Sequence, residues 1–150
     1  MNNPAPTQAP KGLHKFPVRV YYEDTDAAGV VYYANYLRYA ERARSEMLRD
    51  LGIESAALMA NGGLAFAVKH CSMDFIKPAK LDDLLSVETR LIEIKGASLT
   101  AEQCVRRENA DLVRMELKLA CMSLDGKPAR LPAAVKSRLE EFQAASPTKQ

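Results

Sequence analysis

Residues 22–51 read YEDTDAAGVVYYANYLRYAERARSEMLRDL, and this stretch decides the fold. Tyr36, Ala40, Ala43, Met47 and Leu51 recur at steps of four, three, four and four, the spacing that lays side chains along one face of a helix. Between them fall Arg38, Glu41, Arg42, Arg44, Glu46, Arg49 and Asp50. Glu41 with Arg44 and Arg42 with Glu46 stand at separations that allow pairing along a helix surface. Gly52 follows, and a residue without a Cβ is the natural left-handed stop. The helix start is open on pattern alone, since Asn35 could cap it or Tyr33 could already lie in its first turn.

Ahead of that start, Asp24, Thr25 and Asp26 form a carboxylate-bearing turn followed by Ala27, Ala28 and Gly29. Small residues let a backbone approach a ligand closely. The unpaired NH groups and positive end of the helix dipole point back toward the turn. Such a place holds an ionised carboxylate and polarises a carbonyl oxygen together, which suits acyl transfer to water. Asp and Asn ahead of a helix also serve as turn formers and caps, and the DxDxxG pattern alone leaves both readings standing.

The wider string EDTDAAGVVYYANYLRYAERARSEML resembles the acyl-CoA thioesterases of the hotdog superfamily, in the 4-hydroxybenzoyl-CoA thioesterase-like group that includes the Tol-Pal-associated bacterial thioesterases. The resemblance is dense from Val18 to Leu51 and continues more loosely through FIKPAKLDD (Phe75 to Asp83) and GASL (Gly96 to Leu99) to about Pro132. It implies an α+β hotdog fold, a curved antiparallel sheet wrapped around one long helix. It also implies hydrolysis of an acyl-CoA to free acid and CoA, without a separate cofactor. In that family the second Asp of DxD is the catalytic carboxylate, which falls on Asp26, and the polarising backbone NH falls on Tyr33. Many Tol-Pal-associated members carry His where Tyr33 stands, and an aromatic residue there is closer to the 4-hydroxybenzoyl-CoA type. The resemblance further implies a homodimer or homotetramer with the active site between protomers. It leaves open a different class of role, as a weakly catalytic or non-catalytic partner of cell-envelope or lipid-synthesis machinery, including acyl carrier protein.

CoA carries phosphates, so cations are needed near the mouth of the site. Lys95, in the turn before GASL, is the first candidate because related enzymes use basic residues in that loop; Arg130 is the second, and Ser98 could hydrogen-bond near the thioester. Solvated surface charge and turn solvation are the plain alternatives for these residues. Thioester carbonyls lack much of the resonance stabilisation of esters and amides, so one carboxylate and one or two aimed NH donors suffice. Asp26 would act as general base or as nucleophile. No GxSxG elbow, Walker loop or dinucleotide fingerprint occurs in the chain.

The 150 residues, 47% of them hydrophobic, fit one globular domain over residues 13–150 behind a proline-bearing tail, residues 1–12. The first residues, MNNPAPTQAPKG, lack the apolar core of a secretory signal, and no apolar run is long enough to span a bilayer. A cytoplasmic location is the expectation. A net charge of +2 gives no argument for nucleic acid. Cys71, Cys104 and Cys121, an odd set without CxxC spacing, are expected as free buried thiols in strands. His14 and His70 have no neighbours at ligand spacing, so no metal is expected.

Along the chain, Phe16–Glu23 reads as a strand, Glu54–Met59 as a short helical piece, and Leu64–Ile76 as a strand apolar on both sides and therefore central. Leu85–Leu91, Ser98–Arg106 and Val113–Cys121 alternate as antiparallel strands joined by turns. Pro132 opens a last helix with a Val135, Leu139 and Phe142 stripe.

Overall fold

The computed structural model describes residues 12–144. The tail expected over residues 1–12 therefore lies, apart from Gly12, outside the described residues. Five strands form one antiparallel sheet: β1 (His14–Arg19), β2 (Leu64–Phe75), β3 (Leu84–Ile94), β4 (Ser98–Arg107) and β5 (Ala110–Ser123). Their order across the sheet is β1-β3-β4-β5-β2. The helices are α1 (Asn35–Asp50), a short α2 (Ser55–Ala57) running into a wide π turn over Leu58–Gly62, and α3 (Ala133–Ala144).

Register shifts after Val68 in β2 and after Leu91 in β3 mark irregularities that bend a sheet, and α1 lies on its inner face. Ala40 and Ala43 are wholly buried there, small enough to let the helix approach the strands closely. The core falls into two clusters along the helix. Tyr36, Tyr39, Ala40 and Ala43 pack with Val87, Val105 and Val113 at one end. Met47 and Leu48 pack with Leu91, Leu99, Leu119 and α3's Leu139 at the other.

The helix stop follows from its sequence. Gly52 adopts a φ of +78°, its NH bonds to Arg49 O at 2.9 Å, and the Ile53 NH reaches Leu48 O at 2.8 Å. These are the paired bonds of a Schellman motif, with Ile53 buried as its apolar clasp. Arg138 of α3 donates to Gly52 O at 2.6 Å, placing a cation at the negative end of the helix dipole.

Three expectations change. β2 is an edge strand beside β5, and Val68 and Phe75 along it and Ile76 just past its end are 49%, 55% and 44% exposed. Its apolar character on both faces reports what the side chains require, not a place inside this sheet. On α1, Glu46 pairs with Arg49 at 3.4 Å instead of with Arg42, and Arg44 turns inward to Gln103 Oε1 at 2.9 Å. Of the thiols, Cys121 is buried, whereas Cys71 and Cys104 are half-buried.

Candidate active site

The segment DAAG folds as its residues dictate. Gly29 NH bonds to Asp26 O at 3.0 Å and Asp26 NH to Val30 O at 2.9 Å, closing a tight turn with Asp at its first position and Gly, at φ +76°, at its last. Asp26 Oδ1 accepts the Ala28 NH at 2.9 Å, the side-chain-to-backbone bond that Asp commonly makes in turns. Among the hydrogen bonds of the described residues, Asp26 Oδ2 takes part in none. The residue is exposed.

Asp24 is different. Its Oδ2 accepts the Tyr21 NH at 2.9 Å, and its backbone carbonyl receives both the Tyr32 NH and the Asn35 side-chain amide, each at 2.9 Å. Its carboxylate also faces Tyr39, whose buried hydroxyl makes no hydrogen bond of good geometry. Burial first, then the Asp24 charge, push the Tyr39 phenol far above its usual range. Of the two aspartates, Asp24 braces the loop, while Asp26 keeps one oxygen open to solvent.

The other wall of the loop is FIKPAKLDD. Ala79 O accepts the Val31 NH at 2.8 Å, and the Leu81 NH reaches Gly29 O at 3.3 Å. The Tyr36 hydroxyl, on the first turn of α1, accepts the Ala79 NH at 3.1 Å, and burial chiefly raises that phenol's pKa. These two backbone bonds and the Tyr36 hydroxyl clamp the carboxylate turn against the helix start. The sequence reading missed this clamp, since it joins residues about fifty apart.

The helix begins with Asn35, preceded by turns in which the Asn35 NH bonds to Tyr32 O and the Tyr36 NH to Tyr33 O. Asn35 is therefore neither a cap nor a solvated residue but a strut to Asp24. The amide NH of Tyr33 meets no acceptor among the described residues. Its ring is 62% exposed and forms an aromatic group with Tyr32 at 4.8 Å and Phe75 at 6.5 Å between centroids.

Lys95, Ser98 and Arg130 come together at the opposite end of α1. The Lys95 NH bonds to Ser98 O at 2.8 Å, and Leu131 NH bonds to Gly96 O at 2.8 Å, so the β3–β4 turn and residues 129–131 form one surface. A Cβ added to Gly96 would stand 3.7 Å from the Arg130 guanidinium. Lys95 Nζ lies 3.3 Å from Glu93, both exposed. At about 1.5 Å per residue, α1's sixteen residues span about 24 Å, so one chain does not bring these cations to Asp26.

Two cavities stand out among the described residues, and Asp26 lines neither. One, of about 430 Å³, lies on the outer face of the sheet among Glu88, Arg90, Arg106, Arg114 and Glu116. The other, of about 470 Å³, lies between the C-terminal half of α1 and the first residues of β2. Among the described residues no three His, Cys, Asp or Glu side chains converge as a metal site, and no helix is long and apolar enough to cross a membrane.

A helix wrapped by an antiparallel sheet, with a carboxylate turn braced at the helix start, is the architecture of the hotdog-fold thioesterases. Residues 20–139 match the model of the thioesterase-like superfamily. The chain is 50% identical over 129 residues, 85% of its length and 95% of the other, to the acyl-CoA thioesterase YbgC of Haemophilus influenzae. It is 44% identical over 133 residues, 87% of its length and 96% of the other, to the acyl-CoA thioester hydrolase YbgC of Escherichia coli O157:H7. A probable thioesterase from Bartonella henselae superposes with a TM-score of 0.78 at 41% identity, over 80% of this chain and 99% of that one. A 4-hydroxybenzoyl CoA thioesterase shares the fold, at TM-score 0.80 and 21% identity over 85% of this chain and 99% of that one. This chain belongs to the thioesterase-like superfamily and is an enzyme of the thioester hydrolase class.

Proposed function

We propose that the chain hydrolyses acyl-CoA thioesters to free acid and CoA, with Asp26 as the reacting carboxylate and the Tyr33 backbone NH as the donor to the thioester oxygen. One observation carries the reading. The loop that holds Asp26 is pinned to the start of α1 through Asp24 O, leaving Asp26 Oδ2 and the Tyr33 NH both without partners among the described residues. An oxyanion developing at the carbonyl would meet a donor fixed in advance by the helix, and one such donor contributes on the order of 3 kcal/mol. Asp26 then delivers water as general base or attacks the carbonyl itself.

The CoA phosphates are held by Lys95 and Arg130, with Ser98 beside them, on a second copy of the chain. The length of α1 separates these residues from Asp26 within one copy, and the uncovered β2 edge with exposed Val68, Phe75 and Ile76 is suited to pairing with another. The working unit is accordingly a homodimer or a homotetramer built from it.

Replacing Asp26 by Ala tests the assignment. The expected result is loss of CoA release, followed by thiol detection, with far-ultraviolet circular dichroism and oligomer size unchanged. A variant as active as wild type would overturn it.

A further inference from the structure

Tyr39 is 1% exposed and the bulkiest wholly buried side chain among the described residues. It follows Tyr36 by three residues on α1, and the two rings meet edge to face at 6.2 Å between centroids. The Tyr36 hydroxyl has a partner in the Ala79 NH at 3.1 Å. The Tyr39 hydroxyl, closed off from solvent, has none of good geometry. Buried tyrosine hydroxyls ordinarily find a partner, and one that does not is desolvated without compensation. Phenylalanine would fill the same space without that cost.

The polar group that this hydroxyl faces is the Asp24 carboxylate. Asp24 Oδ2 accepts the Tyr21 NH at 2.9 Å, and Oδ1 takes part in no hydrogen bond among the described residues. A donor without an acceptor thus stands against an acceptor without a donor. Asp24 lies two residues before Asp26, and its backbone carbonyl ties the loop to the start of α1. Tyr39 is rooted on that same helix. A thioester held between Asp26 and the Tyr33 NH draws the turn toward α1, and the same movement closes the gap between hydroxyl and carboxylate. Hydrogen bonds at reacting sites are commonly misaligned in the free protein and tighten once substrate is bound.

We propose that Tyr39 is a positioning residue for the reaction at Asp26: its hydroxyl donates to Asp24 Oδ1 as the bound thioester draws the turn onto α1, and so fixes the Asp26 carboxylate in the reacting state. The inference rests on the hydrolase reading above and adds to it a residue that touches neither substrate nor Asp26. The bond is missing from the free protein and forms on the way to reaction. Removing the hydroxyl therefore lowers kcat, while KM and the stability of the free protein are spared. A tyrosine that served the fold alone would show the reverse, a loss of stability with the rate retained.

The test is a double-mutant cycle in the full chain with Tyr39→Phe, Asp24→Ala and the pair, assayed by thiol release from whichever of acetyl-, octanoyl- and benzoyl-CoA wild type turns over fastest. Urea midpoints are measured beside the rates. Tyr39→Phe is expected to lower kcat about tenfold, with KM little changed and a urea midpoint no lower than that of wild type. In the Asp24→Ala chain, which keeps the backbone carbonyl and so the tie to α1, the same substitution is expected to change kcat by less than about twofold. Wild-type kcat in Tyr39→Phe, a fall in kcat matched by a fall in urea midpoint, or an equal fall with and without the Asp24 carboxylate overturns this inference alone. Release of CoA from none of the three by wild type, or undiminished release by Asp26→Ala, overturns the hydrolase reading beneath it.

Discussion

The side-chain amide of Asn35, the first residue of α1, donates to the backbone carbonyl of Asp24 at 2.9 Å. That bond makes the carboxylate turn and the helix start one rigid piece. The Tyr32 NH shares the same acceptor, so the turn is held at two points on one oxygen. Asn35→Ala removes one of them and is expected to cost about 1 kcal/mol of stability. Its larger effect is on rate, a fall in kcat of about tenfold to a hundredfold, because a carboxylate displaced by about 1 Å loses its alignment. Asn35→Asp puts an acceptor against an acceptor and is expected to be slower still. Steady-state kinetics of the two variants, beside urea melts, separate rate from stability; an Asn35→Ala enzyme with wild-type kcat would show that the strut does not align Asp26.

Asp26 has one carboxylate oxygen committed to the Ala28 NH and one uncommitted. Either oxygen chemistry is compatible with that geometry, and the two leave different traces. In a single turnover in heavy-oxygen water, a nucleophilic Asp26 takes the isotope into its own side chain when water opens the mixed anhydride at the aspartyl carbonyl and the acid leaves unlabelled, whereas a general base sends the isotope into the acid. Mass spectrometry of the peptide that contains residue 26 reads the difference. For Asp26→Asn, kcat is expected to fall by about 10² to 10⁴ by the general-base route.

Gln103 ties α1 to the sheet from inside the core. Its amide donates to Ala40 O at 2.9 Å and to the Thr89 hydroxyl at 3.0 Å, while its carbonyl accepts from Arg44 at 2.9 Å. Both Gln103 and Thr89 are buried, and burial lowers the pKa of the Arg44 guanidinium, with Glu41 pulling the other way. Gln103→Ala strands these groups and is expected to cost about 3 kcal/mol in urea denaturation. Arg44→Met in the same chain removes the charge that was stranded, so the double variant loses less than the sum by about 1 to 2 kcal/mol. Simple additivity would mean that Arg44 finds water once Gln103 is gone.

How much of this was legible in the sequence depends on how local the cause is. The DAAG turn and the Gly52 stop are decided by residues within a few positions of each other, and both stand where the pattern places them. The strut from Asn35 was open to misreading because a polar residue at a helix start is ordinarily a cap. Arg44 was counted to the solvent face by its type, although its spacing of four from Ala40 and three from Met47 puts it on the buried side. The edge position of β2 follows from which strands pair across long separations, and apolar residues on both its faces cannot distinguish a neighbour in the same sheet from one in another copy. The ends of the proposed site are legible one by one, as Asp26 and as Lys95, but their separation along α1 appears only in three dimensions. His14 likewise pairs with Asp50 at 2.7 Å, a contact between the first strand and the end of α1 that no local pattern announces.

Asp83 closes the segment that clamps the loop carrying Asp26. Its Oδ2 receives the Lys80 NH at 2.8 Å and the Arg107 guanidinium at 2.6 Å. Burial alone would raise its pKa, but the Lys80 NH and the Arg107 charge outweigh it and hold the carboxyl below its usual value of 3.8. A carboxylate depressed in the folded state stabilises the fold fully above the ordinary carboxylate value, and that contribution is lost as pH falls through the lowered one. Asp83→Asn is therefore expected to lower stability by about 1 kcal/mol at neutral pH, and the gap between variant and wild type should close as the buffer is taken down through the lowered carboxyl value, below the usual 3.8. Urea midpoints across that range measure it. Because the Leu81 NH holds Gly29 O and the Val31 NH holds Ala79 O, loosening this segment also loosens the turn that carries Asp26, and kcat in Asp83→Asn is expected to fall by a few-fold at neutral pH while KM for the acyl-CoA changes little. A stability gap that stays constant from neutral to acid pH would mean that the side chain acts through packing and not through its charge.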